Sequence, residues 1–268
     1  HRRYVGEKGL WSFYGWLRRA VREHRPLDDL TRELLTAQGN LYTNGPVAFF
    51  SVDQKPEEYA ETTAQVFLGI RMHCARCHHH PYENWSQEDY YGLAAFFTYF
   101  EVKDNRDNGR LGGARIVRTV DKQNRQMRLA IKVPPQLPGE QGEILPGEQV
   151  ADVRRPLADW ITAEENPFFA RNFVNRYWAY MMGRGLVEPL DDLRNTNPAT
   201  HPALLDALAE SFVASGYDLK HLLRTICNSR AYQLAAVLQP EHDPLGTFYT
   251  YHGVRRLPAE VLLDAINQ

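Results

Sequence analysis

Cysteine is scarce in this chain: three thiols, Cys74, Cys77 and Cys227, in 268 residues. That is too few for a disulfide-stapled scaffold. The odd count leaves Cys227 beside Leu222 and Ile226 at helical spacing, which reads as a buried thiol. Long apolar runs are missing. Nothing approaches the roughly 18 residues of a transmembrane helix, and the longest candidates, such as Leu93 to Phe100, lie inside amphipathic patterns. A basic excess is missing too. Lys and Arg number 31 against 33 Asp and Glu, a formal charge of −2, which argues against a nucleic-acid partner. No G-x-S-x-G, G-x-x-x-x-G-K-[ST] or H-E-x-x-H occurs, and no G-x-G-x-x-G follows a strand. Four common catalytic or nucleotide-binding arrangements are thereby excluded. There is no internal repeat. The chain opens abruptly at His1-Arg2-Arg3, without initiator Met or signal peptide, and stops in a helical pattern at Leu262 to Gln268; the expectation is a processed or truncated piece of a longer protein.

What is present is ordinary for a globular chain: 43% hydrophobic and 24% charged residues, with length for one or two domains. Apolar residues at Leu10, Trp11, Phe13, Tyr14, Leu17 and Val21 follow a 3.6-residue period and predict a helix to Glu23. Arg25-Pro26 breaks it, and Pro26 opens a second helix through Leu35 with Asp28 and Asp29 in its first turn. Gly39-Asn40 stops that helix. Pro56-Glu57-Glu58 opens a third, expected to run to about His73. Ser86 to Asp89 reads as a capping box for an aromatic-rich helix, Tyr90 to about Phe100. Asp104 to Gly113 reads as a loop. Ile116, Val117 and Val120, then Leu129, Ile131 and Val133, across Asp121 to Gln126, predict a β-hairpin. Pro134 to Gly147 holds four Pro and three Gly in fourteen residues and reads as a linker. Helices follow over Val153 to Ile161, from the Asn166 cap to Met182, from the Thr200 cap to Ala214, from the Asp218 cap to Ser229, and from Pro258 onward.

The chemistry concentrates at Cys74-Ala75-Arg76-Cys77-His78. Covalent haem attachment needs two thiols spaced to add one each to the two vinyl groups, followed directly by a His whose imidazole reaches the iron from the same side. C-x-x-C-H supplies both. On this reading Cys74 and Cys77 carry haem c and His78 is the axial iron ligand. His80 bonds a propionate or orients the loop, and the flanking aromatic helices wall the group. The distal ligand must come from elsewhere, with His252, His221, Met182 and Met181 as candidates; an open sixth position is the other possibility. The competing reading is a zinc site from Cys74, Cys77, His78 and His80, which has the donor chemistry but crowds four ligands into seven residues.

A second constellation is Asn175-Arg176-Tyr177-Trp178, Gly183-Arg184-Gly185-Leu186-Val187 and Asp191-Asp192-Leu193-Arg194. Arg176 and Arg184 could contact an anionic substrate or a propionate. The plainer reading is an Arg/Asp network that fixes helix ends.

Phe67-Leu68-Gly69-Ile70, Cys74 to Pro81 and Trp85 to Phe97 resemble the planctomycete cytochrome c-like domain, as does the run from Trp16-Leu17 to Asp28. From Asp152 onward the chain resembles its companion C-terminal domain of unknown function. The matching runs there include Asn166 to Arg171, Asn175 to Trp178, Gly183 to Val187, Gly216 to Leu222, Asn228 to Leu234 and Arg255 to Glu260. The resemblance implies a large exported protein with haem. Here His79 stands where the family pattern usually has an acidic or amide residue.

The expectations are therefore these. The fold is mainly α, with two closely packed helical domains, 1–138 and 148–268, and a small β-hairpin insertion; the c-type haem site lies at the end of a helix. The function is electron transfer among extracytoplasmic redox partners, in the periplasm or at the cell surface. The alternatives are a haem-dependent oxidoreductase acting on an extracellular substrate, for which an open haem position would face Arg176, Arg184, Asp191 and Asp192, and a non-redox binding module with a Cys/His zinc site.

Overall fold

A computed structural model describes residues 2–51, 53, 55–79, 85–104, 115–120, 122–124, 129–131, 133–140, 142–147, 150–236, 243, 246–254 and 256–267. The expected loop over Asp104 to Gly113 lies almost wholly outside these residues.

The structure is mainly α, about half helical, with one small sheet. α1 (Arg2–Arg22) begins before the expected start and changes direction at Gly6, which takes φ 66°, a conformation open to glycine. Its inner face, with Val5, Trp16 and Ala20 buried, lies against the tight turns over Gly45–Ser51. The crossing is close: a Cβ on Gly45 would sit 2.6 Å from the Ser12 carbonyl oxygen. α2 (Leu27–Leu35) follows Pro26 and packs on α5 (Arg154–Thr162). α3 (Pro56–Thr63) runs into one wide π-helical turn, Ala64–Leu68, which Gly69 ends in the left-handed region at φ 68°. The third helix therefore stops five residues short of His73.

α4 (Gln87–Ala95) has the expected capping box. The Ser86 Oγ accepts from the Asp89 N–H at 2.9 Å, and the Asp89 carboxylate accepts from the Ser86 N–H at 2.8 Å. A short 3-10 turn, Phe96–Thr98, leads directly into a strand.

The sheet corrects the expected hairpin. Its order is β1-β3-β2, all antiparallel: β1 (Gly39–Asn40), β2 (Phe100–Asp104) and β3 (Arg115–Thr119). Val117 faces Val102 on one side and Gly39 on the other. Both edges of β3 are thus occupied. The chain after β3 folds back on the start of β2, with Val120 N–H donating to Tyr99 and Asn124 N–H to Thr98. No edge is left for the run from Leu129, and Ile131 is exposed, without strand structure. Gly39-Asn40 is likewise a strand rather than only a helix stop.

The Pro- and Gly-rich stretch is laid along α4. Gln136 donates its N–H to Gly92, and the Gly139 N–H reaches the Asp89 carboxylate at 3.0 Å. The helices α6 (Phe169–Met182), α7 (Pro202–Ala214) and α8 (Leu219–Cys227) pack on one another. Asn166 Oδ1 accepts from the Phe168 and Phe169 N–H groups, and Asp218 Oδ1 from Lys220 and His221, as capping predicts. Thr200 does not cap α7; its N–H and hydroxyl both donate to the Leu186 carbonyl. α9 (Ala259–Ile266) is exposed along its whole length. Most buried apolar side chains, from Val5 to Tyr249, form one cluster drawn from both halves of the chain, and Trp16, Ala20 and Leu30 form a second, small one.

Arg154 is fully buried where the halves meet. It forms a two-pronged pair with Asp152 at 2.9 and 2.8 Å, donates to the Ala37 carbonyl, and lies 4.9 Å from the Phe50 ring centroid. Sequence reasoning passed over this pair. A short Asp-x-Arg spacing carries no mark of burial.

The candidate cysteine–histidine site

His73 to Arg76 form one 3-10 turn, and the Cys77 N–H closes it on the Cys74 carbonyl. Ala75 is buried and anchors the turn. Cys74, Cys77, His78 and His79 are exposed. Both thiols of the motif are free.

Two side chains of α4 hold the turn from below. Gln87 Nε2 and the Tyr91 hydroxyl both donate to the Arg76 carbonyl, at 3.0 and 3.3 Å. That carbonyl lies between the two cysteines, so α4 fixes the loop that spaces them. On the other flank the Tyr90 hydroxyl donates to Glu61 at 2.6 Å, and His73 Nδ1 meets the same carboxylate oxygen at 3.1 Å. Burial and then the Glu61 carboxylate push the Tyr90 hydroxyl far above its ordinary range, so it stays a donor. Gln87, Tyr90, Tyr91 and Glu61 were not among the expected site residues. The capping box gave the position of the helix that carries Gln87, but not what its side chain meets.

His78 places Nδ1 2.6 Å from the His79 carbonyl oxygen. A carbonyl can only accept, so Nδ1 carries the proton. In the neutral ring Nε2 would then hold the lone pair, the tautomer in which an imidazole binds a metal. Free thiols three residues apart, with such a histidine next to the second, fit covalent haem. His80 and Pro81 lie outside the described residues. Among the described residues no three His, Cys, Asp or Glu side chains converge as ligands for a metal ion.

The aromatic walls are a correction. Tyr90, Phe96 and Phe97 of the flanking segment are buried in the core, and Phe97 stacks on Tyr59. Packing has claimed them, and the motif faces solvent. The remote candidates are also engaged. His221 Nε2 lies 3.1 Å from Ser211 Oγ, between α7 and α8. His252 packs on the Tyr232 ring, Met182 is buried in the core, and Met181 is half-buried against it.

The second constellation is partly brought together. Asp191 accepts from Arg71 Nε at 3.0 Å and also from Gln65 Nε2. Burial raises the Asp191 carboxyl, but these donors outweigh it and hold it below the usual carboxylate range. Arg176 is near enough to feel Asp191, yet its bonds go to the Gln65 carbonyl at 2.6 Å and Asn172 Oδ1 at 2.9 Å. Burial lowers its guanidinium pKa. Asp192 pairs with Arg194. Arg184 is elsewhere; its carbonyl accepts from the Tyr249 hydroxyl. The cluster therefore ties helix ends together, with Arg71 an added member.

Residues 2–102 match a family model described as "Protein of unknown function (DUF1549)". Residues 153–268 match a second, "Protein of unknown function (DUF1553)". This pairing is typical of planctomycete proteins. No curated protein and no solved structure matches the chain. The first match covers the cysteine–histidine turn and α4, the second the partners that brace α3's π-turn. Neither description speaks of a cytochrome.

Proposed function

We propose that this chain carries one covalent haem on Cys74 and Cys77, with His78 as axial ligand, and passes electrons among partners outside the cytoplasm. The observation that carries the reading is the turn itself: two free, exposed thiols at attachment spacing, with His78 directly after the second and its Nδ1 bonded to the His79 carbonyl. Haem held there supplies reversible one-electron exchange. The chain's part is to keep the three residues in fixed spacing, through Gln87 and Tyr91 on the Arg76 carbonyl, and to present them at the surface. Surface exposure favours a carrier over an enzyme that encloses its substrate, because a partner can approach closely. Thioether attachment of haem takes place outside the cytoplasmic membrane, so the proposed location is periplasmic or at the cell surface.

The test is the visible spectrum of protein produced in a haem-maturing host, oxidised and then reduced with dithionite, with metal analysis of the same sample. A sharp reduced α-band from colour that survives acid-acetone extraction is the expected result. A colourless protein with stoichiometric zinc overturns it in favour of a binding module.

A further inference from the structure

α1 carries two apolar faces. One is buried, with Val5, Trp16 and Ala20. The other points outward: Leu10, Tyr14, Leu17 and Val21, spaced four, three and four residues apart and thus stacked along one side of the helix. Their exposures are 42, 52, 40 and 49%, and Trp11, 63% exposed, meets Tyr14 edge-on with ring centroids 5.7 Å apart. Five large apolar side chains on one exposed helix exceed the scattered surface hydrophobics of a soluble chain.

Charge indicates what covers them. The span of α1 holds six basic residues, Arg2, Arg3, Lys8, Arg18, Arg19 and Arg22, against the single acid Glu7, in a chain whose formal charge is −2. Arg18 and Arg22 border the stripe on the side of Trp11, one turn apart, and are exposed. Among the described residues, Arg18, Arg19 and Arg22 have no ion-pair partner. An aliphatic stripe flanked by an exposed Trp–Tyr pair and by unpaired arginines is the pattern of a helix lying in a lipid headgroup region. There the aliphatic side chains enter the acyl boundary, the indole and phenol sit at the interface, and the guanidiniums reach phosphate. A second copy docking α1 on α1 would instead bring two strongly basic helices together.

We infer that the outward face of α1 is a docking surface for an anionic lipid bilayer, and that the protein binds membranes peripherally through it. The inference goes beyond the haem reading and does not depend on it, since none of these residues touches the cysteine–histidine turn.

The test is co-sedimentation of the full chain with vesicles of phosphatidylglycerol and phosphatidylcholine in equal parts, against phosphatidylcholine alone. Binding is expected to the anionic vesicles and to weaken with salt. The pair Arg18→Gln and Arg22→Gln should lower the partition coefficient by about tenfold or more. So should the pair Leu10→Gln and Leu17→Gln, whose side chains are solvent-facing, with an unchanged thermal midpoint as the control for folding. Absence of binding overturns the inference, as does binding that survives both pairs. Concentration-dependent self-association abolished by Leu17→Gln, without lipid binding, also overturns it and makes the face a protein interface.

Discussion

Asn172 Nδ2 donates to the carbonyl oxygen of Val66 at 2.7 Å. The bond joins α6 to the π-turn that precedes the cysteine–histidine site, across 106 residues of sequence. A π-turn that ends at a left-handed glycine leaves carbonyls without intrahelical donors. Here the second half of the chain supplies them. Arg176 reaches Gln65, Asn172 reaches Val66, and the Leu193 N–H reaches Gly69 at 2.9 Å. Asn172→Leu leaves Val66 unsatisfied and removes the acceptor for Arg176. A loss of about 1–3 kcal/mol in denaturant unfolding is expected.

Gly69 answers to the same contact. Its φ of 68° already disfavours a side chain, and an added Cβ would lie 2.7 Å from Asn172 Oδ1. Gly69→Ala should therefore cost more than the roughly 1–2 kcal/mol of left-handed backbone alone. In the Asn172→Gly background the excess should shrink, which a double-mutant cycle reads directly.

Asp191 gives a pH-dependent prediction. Arg71 and Gln65 hold its folded pKa below the ordinary value. Its contribution is then fully present above the unfolded pKa of about 4 and is lost as pH falls through the lower folded value. Asp191→Asn should be less stable than the parent at neutral pH, and the gap should close under acid. Equal unfolding midpoints at pH near 7 would count against the pair.

Arg154 and Asp152 are a buried ion pair with the arginine fully enclosed. Removing one partner strands a charge. Asp152→Ala should lose roughly 3–5 kcal/mol in an unfolding titration, whereas replacing both residues by apolar ones of similar volume should cost far less. Arg154→Lys should not rescue, because an ammonium cannot make the two-pronged bond while also reaching Ala37.

The grip of α4 on Arg76 predicts a change in the thiols. Gln87→Ala with Tyr91→Phe removes both donors from the carbonyl between the cysteines. Cys74 and Cys77 should then react faster with a thiol reagent, while the thermal midpoint falls by only a few degrees. An unchanged rate would show that Ala75 alone holds the turn.

Local features were legible in the sequence. The Ser86 box, the Asp218 cap and the stop at Gly183 all rest on bonds between residues two to four apart, and each formed as read; Asn166 makes the bonds expected of a cap, but α6 begins at Phe169, two residues later than read. The cysteine–histidine motif was legible for the same reason, since Cys74, Cys77 and His78 lie within five positions of one another. The third helix was read too long because its apolar period continues past Gly69. That period could not report that Asn172 and Arg176 would cap a π-turn there. The hairpin failed because strand propensity says which residues are extended and not which edges are free. β1 and β2 occupy both edges of β3.

The sequence by itself determined most of the helices, several of their caps, and the spacing of the two thiols and the histidine beside them, all set by short-range stereochemistry. Only the tertiary structure decided which arginine meets which carboxylate, that Arg154 is buried, and that α4's aromatics fill the core. It also decided that one apolar face of α1 is left outside. Those outcomes depend on which distant surfaces exclude water together, and periodicity along one segment carries no information about the segment that will cover it.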